Sequence, residues 1–207
     1  MREGLHIDDW KWPAGGGVFR VVGDNQTMMN ILNGKTACDR QDLVQEMEEC
    51  ANRLAEIVLL FGGIPADLTG DWVVWRPREF NKRADEVADF IMDGVQVAEH
   101  FGWAGMSWDG SAVNFSLHVD GGARRNGDGR VVAAAAGWVL MVWERRGEVW
   151  DGKVAAKGGQ RLAGATSFEA EIRVMRLGLR ALWNTFAHKR LECCSWLDER
   201  EQELLTS

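Results

Sequence analysis

The sequence predicts an α/β domain, and three observations carry that expectation. Short runs at 18–22, 71–75 and 115–119, the first of them β-branched, have the length of buried strands. Stretches at 42–61, 81–92 and 167–186 repeat their apolar residues at intervals of three and four, as amphipathic helices do. Two longer apolar runs, 133–143 and 148–156, meet at Arg145-Arg146-Gly147 as the arms of a hairpin would. A chain of 207 residues, 46% hydrophobic and 27% charged, is long enough to bury a core around these elements.

Taken in order, VFRVV at 18–22 reads as a strand that delivers Asp24 at its C-terminal end, and residues 27–32 as a helical turn stopped by Asn33-Gly34. In the 42–61 helix Leu43, Met47, Cys50, Leu54, Ile57, Val58 and Phe61 form the apolar stripe, opposite a Glu-rich face, and Gly62-Gly63 ends it. DWVVW at 71–75 is a second strand, closed by Arg76-Pro77. Asn81 is placed to cap a helix through Met92 whose buried stripe is Ala84, Val87, Ala88 and Ile91. Residues 94–114, with Gly at 94, 102, 105 and 110, read as a linker or covering loop. FSLHV at 115–119 is a strand ending in a carboxylate and a turn at Asp120-Gly121-Gly122. The 167–186 helix carries Ile172, Met175, Leu179, Leu182 and Phe186 on one face and Arg173, Arg176 and Arg180 on another. No repeat or low-complexity tract interrupts the chain.

Composition excludes several classes. The four cysteines, Cys38, Cys50, Cys193 and Cys194, form no CxxC and have no His at ligand spacing, which argues against zinc and against a disulfide framework. No stretch approaches the ~20 apolar residues of a bilayer span, and the acidic, polar N-terminus does not read as a signal or transit peptide. The expectation is a soluble protein of the cytoplasm or nucleus with reduced thiols. Eleven Trp and no Tyr are scattered without a period and read as packing residues. The formal charge of −7 argues at first sight against nucleic acid.

Four acids stand where acids are otherwise poor choices: Asp24 and Asp120 at the ends of apolar strands, Glu171 and Asp85 in the first turns of helices. Each has an ordinary explanation. Asp24 can cap a helix, Asp120-Gly-Gly can be a turn, Glu171 can favour the helix dipole, and Asp85 can pair with Arg83. Converging, they would repel one another unless they held a cation, and hard oxygen ligands suit Mg²⁺ or Mn²⁺.

These motifs resemble the type 1 ribonuclease H family with its two halves in the opposite order. FSLHVDGGARRNGDG is similar to the family's first strand and Asp-Gly segment, AAAAGWVLMV and EVWDGKVAAKGG to its second and third strands, and TSFEAEIRVMRLGLRAL to its Ala-Glu helix. VFRVVGDNQTMMNILNG resembles the fourth strand with its Asp. WRPREFNKRADEVADFIMDG resembles the last strand, an Arg-Glu-x-Asn stretch and a final Ala-Asp helix.

The resemblance implies a three-layer ribonuclease H-like α/β fold, circularly permuted, with a mixed five-stranded sheet flanked by helices. Its divisions are an N-terminal extension (1–17), the family's second half (18–93), a linker (94–114), the first half (115–190) and an acidic tail (191–207). It implies Asp120, Glu171, Asp24 and Asp85 as catalytic metal ligands, holding two Mg²⁺ or Mn²⁺ ions. Asn126 and Gln26 would touch the RNA strand in the minor groove, where 2′-hydroxyls identify RNA. Ser167, with Phe168, stands where the family often has a paired Asn, and the loop before the last helix lacks the His that many members carry there. The permuted order implies a monomer; two half-domains from successive tandem repeats would instead give a swapped dimer or filament.

The activity implied is endonucleolytic hydrolysis of the RNA strand of RNA–DNA hybrids, in a retroelement or a housekeeping enzyme. A non-catalytic nucleic-acid-binding or assembly module built on the same fold is the alternative, and an exonuclease or integrase fits the motifs less closely. Charge is uneven enough to allow such a partner: within residues 115–190 there are 13 basic and 7 acidic residues, a net +6, against −8 in the first 100 residues. Arg124, Arg125, Lys153, Lys157 and Arg161 are expected to face phosphates. The tail at 192–207, with five acids and one base, is expected to compete with them.

Overall fold

The computed structural model describes residues 19–60, 72–97, 113–146 and 149–193. Five strands, β1 (Phe19–Gly23), β2 (Val73–Trp75), β3 (Val113–Arg125), β4 (Val131–Arg146) and β5 (Val149–Arg161), form one open mixed sheet in the order β2-β1-β3-β4-β5. β1 runs parallel to both β2 and β3, while β3, β4 and β5 are successive antiparallel neighbours. Four helices flank the sheet: α1 (Gln26–Leu32), α2 (Gln41–Leu60), α3 (Lys82–Met92) and α4 (Ser167–Cys193). The architecture is an α/β domain compatible with a ribonuclease H-like fold.

The helices divide unequally between the two faces. α1, α2 and α4 share a large core in which Met28, Leu54, Ile57, Leu117, Leu140, Ile172, Met175 and Leu179 are sealed from solvent. α2 buries Leu43, Met47, Cys50, Leu54, Ile57 and Val58, as its spacing predicts. Its glutamates turn to α4, where Glu46 and Glu49 lie 4.0 and 3.6 Å from Arg173 and Arg176. Among the described residues α3 is the helix that covers the opposite face, with Val87, Ile91 and Met92 over Ala135, Val139, Met141, Trp143 and Trp150.

β3 corrects the expectation of a strand ending at Val119. Asp120-Gly121-Gly122 continues in the ladder, paired with Gly137, Ala136 and Ala135. The turn comes later, where the Asn126 side-chain oxygen accepts from the backbone N–H groups of Asp128 (3.2 Å) and Arg130 (2.9 Å), and Gly129 takes a positive φ of 77°. Gly121 has a different reason to be glycine: a Cβ there would lie 2.3 Å from the backbone of Ala170 and Glu171, so its absence lets α4 touch the strand. Gly137 serves the other face, where a Cβ would lie 2.4 Å from the Ala88 nitrogen in α3.

The other strands of the second half are also longer than their apolar runs. β4 extends through Arg146 and β5 begins at Val149, so the expected hairpin turn falls partly outside the described residues. So do most of the 94–114 linker, Phe61 to Gly63, the first 17 residues and the tail beyond Cys193. No helix among the described residues is long and apolar enough to cross a membrane.

Candidate metal centre

Three elements bring three carboxylates together. β1 ends at Gly23, and Asn25 begins α1 by accepting a hydrogen bond from the Met28 N–H at 3.1 Å. The helix cap is therefore Asn25 rather than Asp24, whose carboxylate is left for other work. The β1–β3 ladder pairs Val22 with His118, so its continuation by two residues brings Asp24 level with Asp120. Glu171 arrives from the first turns of α4, set against Gly121 by the close approach described above. A reciprocal capping box fixes the start of α4: Thr166 N–H donates to Glu169 at 2.7 Å, and Glu169 N–H to the Thr166 hydroxyl at 3.3 Å.

One oxygen from each of Asp24, Asp120 and Glu171 lies within 4.8 Å of the others. Asp120 and Glu171 are only 6% and 7% exposed, and Glu171 Oε2 is buried with no hydrogen-bond partner. Burial pushes the Asp120 carboxyl up to about 7, and the charges of Asp24 and Asp85 push the same way against the Arg78 guanidinium. Glu171 is raised to about 9, first by burial and then by Asp120 and Asp24, with a backbone hydrogen bond to Gly121 opposing. Such a group needs protons or a cation to persist. Its donors are all hard oxygens, and Mg²⁺ or Mn²⁺, with oxygen bonds of about 2.0–2.6 Å across the hard divalent ions, fits that set.

Asp85, the fourth acid, is not within this triad. It stands close enough to raise Asp120, but its carboxylate accepts a hydrogen bond from Arg78, not from Arg83. Arg83 instead reaches the Met141 sulfur at 3.3 Å. Of the expected nucleic-acid contacts, Gln26 is exposed at the start of α1, one turn from the centre in sequence, and Ser167 is exposed at the start of α4. Asn126 is exposed, but its side chain holds its own turn. Arg125 donates to the Gly129 carbonyl at 2.7 Å. Arg124 is gripped by α3, through Asp89 at 2.8 Å and through Asp93, and Lys153 pairs with Glu144 at 2.9 Å. Lys157 and Arg161 are exposed on β5. A phosphate approaching Arg124 or Lys153 would have to displace a carboxylate.

Three residues around the triad have no place there in the sequence reading. Asn81 was expected to cap α3, yet its side chain makes no capping bond; it is fully buried, and its amide donates to the Val119 carbonyl at 2.8 Å, next to Asp120. Trp75 donates its indole N–H to the Asp24 carbonyl at 2.9 Å. Arg78, inside the Arg-Glu-x-Asn stretch, supplies a positive charge felt by Asp120 and Glu171. The signal for Asn81 was a polar residue on the apolar side of a helix start; for Trp75 and Arg78 only proximity in the fold supplies it. Comparison of the chain with protein-family models, with curated proteins and with solved structures finds no match to any of them.

Proposed function

We propose that the protein is a metal-dependent phosphodiesterase that hydrolyses the RNA strand of RNA–DNA hybrids, built as a circularly permuted ribonuclease H-like domain. The observation that carries this reading is the buried triad of Asp24, Asp120 and Glu171, with an unpartnered carboxylate oxygen inside it. The triad draws on both halves of the chain, Asp24 from the first and Asp120 and Glu171 from the second. The two halves meet in the direct parallel pairing of β1 with β3.

A hard divalent ion, when bound, supplies Lewis-acid polarisation of a phosphoryl oxygen and a more acidic water. Asp24, Asp120 and Glu171 would hold it, and the burial of Asp120 and Glu171 keeps their oxygens in place before substrate arrives. Asp85, beside the triad but engaged by Arg78, would hold a second ion once Arg78 lets go. The Gln26 and Ser167 side chains, exposed at the starts of α1 and α4, would contact 2′-hydroxyls.

The test is cleavage of an end-labelled RNA–DNA hybrid with Mg²⁺, alongside Asp120→Asn and a chelator control. Wild-type protein should cut internally in the RNA strand, and both controls should reduce cutting to background. Undiminished cleavage by Asp120→Asn would overturn the site. Tight hybrid binding without cleavage in wild type would favour the non-catalytic module instead.

A further inference from the structure

Residues 75–78, from the end of β2 towards α3, run beside the triad, and two of them are built in an unusual way. Trp75 is 41% exposed although it is a large aromatic, in a protein where Trp138 and Trp143 are buried to within 3%. Its only polar atom is spent on the Asp24 carbonyl, 2.9 Å away. What remains outward is apolar ring, anchored beside a proposed metal ligand. Three residues on, Arg78 has 70% of its side chain exposed and is held at the centre by a hydrogen bond to Asp85.

We propose that Trp75 and Arg78 form the substrate-gripping rim of the centre, Trp75 packing on a nucleotide base or ribose and Arg78 contacting a neighbouring phosphate of the same strand. This rests on the nuclease reading and adds the residues that hold the strand there. The division of labour follows from chemistry: an aromatic face is sequence-tolerant and insensitive to salt, whereas a guanidinium on a phosphate is not. Arg78 is also the cation that opposes the triad's own repulsion, so its charge already sits where the anionic strand must come. Asp85 holds the guanidinium beside the triad before substrate arrives, and passing Arg78 to the phosphate would leave Asp85 to the second ion.

The experiment measures hybrid affinity of the full chain across a salt series, with Ca²⁺ in place of Mg²⁺, together with the protein's Mn²⁺ affinity in the absence of nucleic acid. Trp75→Ala should weaken hybrid binding about 10-fold or more with an unchanged salt slope, and Trp75→Phe should retain most of the affinity. Arg78→Gln should lower the slope of log affinity against log salt by about 1. Trp75→Ala should keep Mn²⁺ affinity within about 3-fold of wild type, a change below ~1 kcal/mol, whereas Arg78→Gln, which removes a cation beside the triad, should not lower it. If Trp75→Ala loses Mn²⁺ affinity in step with hybrid affinity, Trp75 only supports Asp24 and the proposal for it falls. Wild-type hydrolysis with unaltered hybrid binding by Trp75→Ala and Arg78→Gln would overturn the rim while leaving the nuclease reading intact. Wild-type protein that neither binds nor cuts the hybrid would remove the reading and the rim together.

Discussion

Along β3, Phe115, Leu117, Val119 and Gly121 face α4, whereas Asn114, Ser116, His118 and Asp120 face the α3 side; all eight are buried. The first face is dry and apolar, closed by three helices in one continuous core. The second has one short helix and a row of polar groups held by hydrogen bonds: Trp143 donates to the Ser116 hydroxyl at 2.7 Å, and Ser116 bonds the His118 ring at 2.9 Å. Burial and the nearby Arg83 push that imidazole down to about 4, so it is neutral at physiological pH. One strand thus carries an apolar core on one side and a buried polar row on the other. The residue that ends the polar row is Asp120.

The sharpest probe of the end of the polar row is pH, because Asp120 and the α4 residue Glu171 that meets it there carry raised carboxyls. In the unfolded chain Asp120 and Glu171 lose their protons near pH 4, while in the folded protein they hold them to about 7 and about 9. The folded state binds more protons over that interval. Stability is therefore full below pH 4 for these groups and is lost as pH rises through their folded values. Without metal, the unfolding temperature should fall by about 10 °C between about pH 5 and pH 9. Saturating Mg²⁺ should offset most of the loss, increasingly so at high pH, because protons no longer compete for the ligands. Asp120→Asn should flatten the metal-free profile. A profile that rises over this range in the absence of metal would contradict the buried triad.

Two glycines compare the faces mechanically. Gly121→Ala drives a methyl into the α4 backbone, and neither β3 nor a long helix in the larger core can yield; the expected cost is about 3 kcal/mol or more. Gly137→Ala meets α3, a helix of 11 residues over a smaller core, and should cost about 2 kcal/mol. Chemical denaturation gives both values. Since Gly121 also seats Glu171, its variant should lose Mg²⁺ affinity, whereas Gly137→Ala should keep it within a few fold. Equal losses would mean that α3 is fixed as firmly as α4.

Helical spacing made α2, α3 and the first two-thirds of α4 legible, because a buried stripe repeats over several turns. The strands were legible as runs but not in extent. FSLHVDGG alternates apolar and polar residues, which suggests a strand with one wet face, whereas here both faces are covered and the glycines mark helix contacts rather than a turn. Asp24, Asp120 and Glu171 were identifiable as acids in apolar settings, and the fold brings those three together. Asp85 shares the same local pattern, yet its partner Arg78 is seven residues earlier, across a 3₁₀ turn at Arg78–Phe80 that no periodicity announces. Treating the tryptophans alike hid Trp75, since exposure is a property of the assembled sheet edge.

Neighbours on β3 allow the smallest and most direct comparison. Leu117→Ala removes a fully buried side chain packed against Gly178 of α4, leaving a cavity in the dry core, and should cost about 3 kcal/mol. Ser116→Ala, one residue away on the other face, removes almost no volume. It does take the acceptor from the Trp143 indole N–H and a partner from His118, at an expected cost of about 1–2 kcal/mol. The two should also differ in kind: Leu117→Ala should leave Mg²⁺ affinity in place in the folded fraction, whereas Ser116→Ala removes a hydrogen bond from the His118 ring two residues from Asp120 and should weaken it. If Ser116→Ala is neutral in both stability and metal affinity, the polar row is tolerated packing rather than a scaffold for the centre. The α3 face would then differ from the α4 face only in composition.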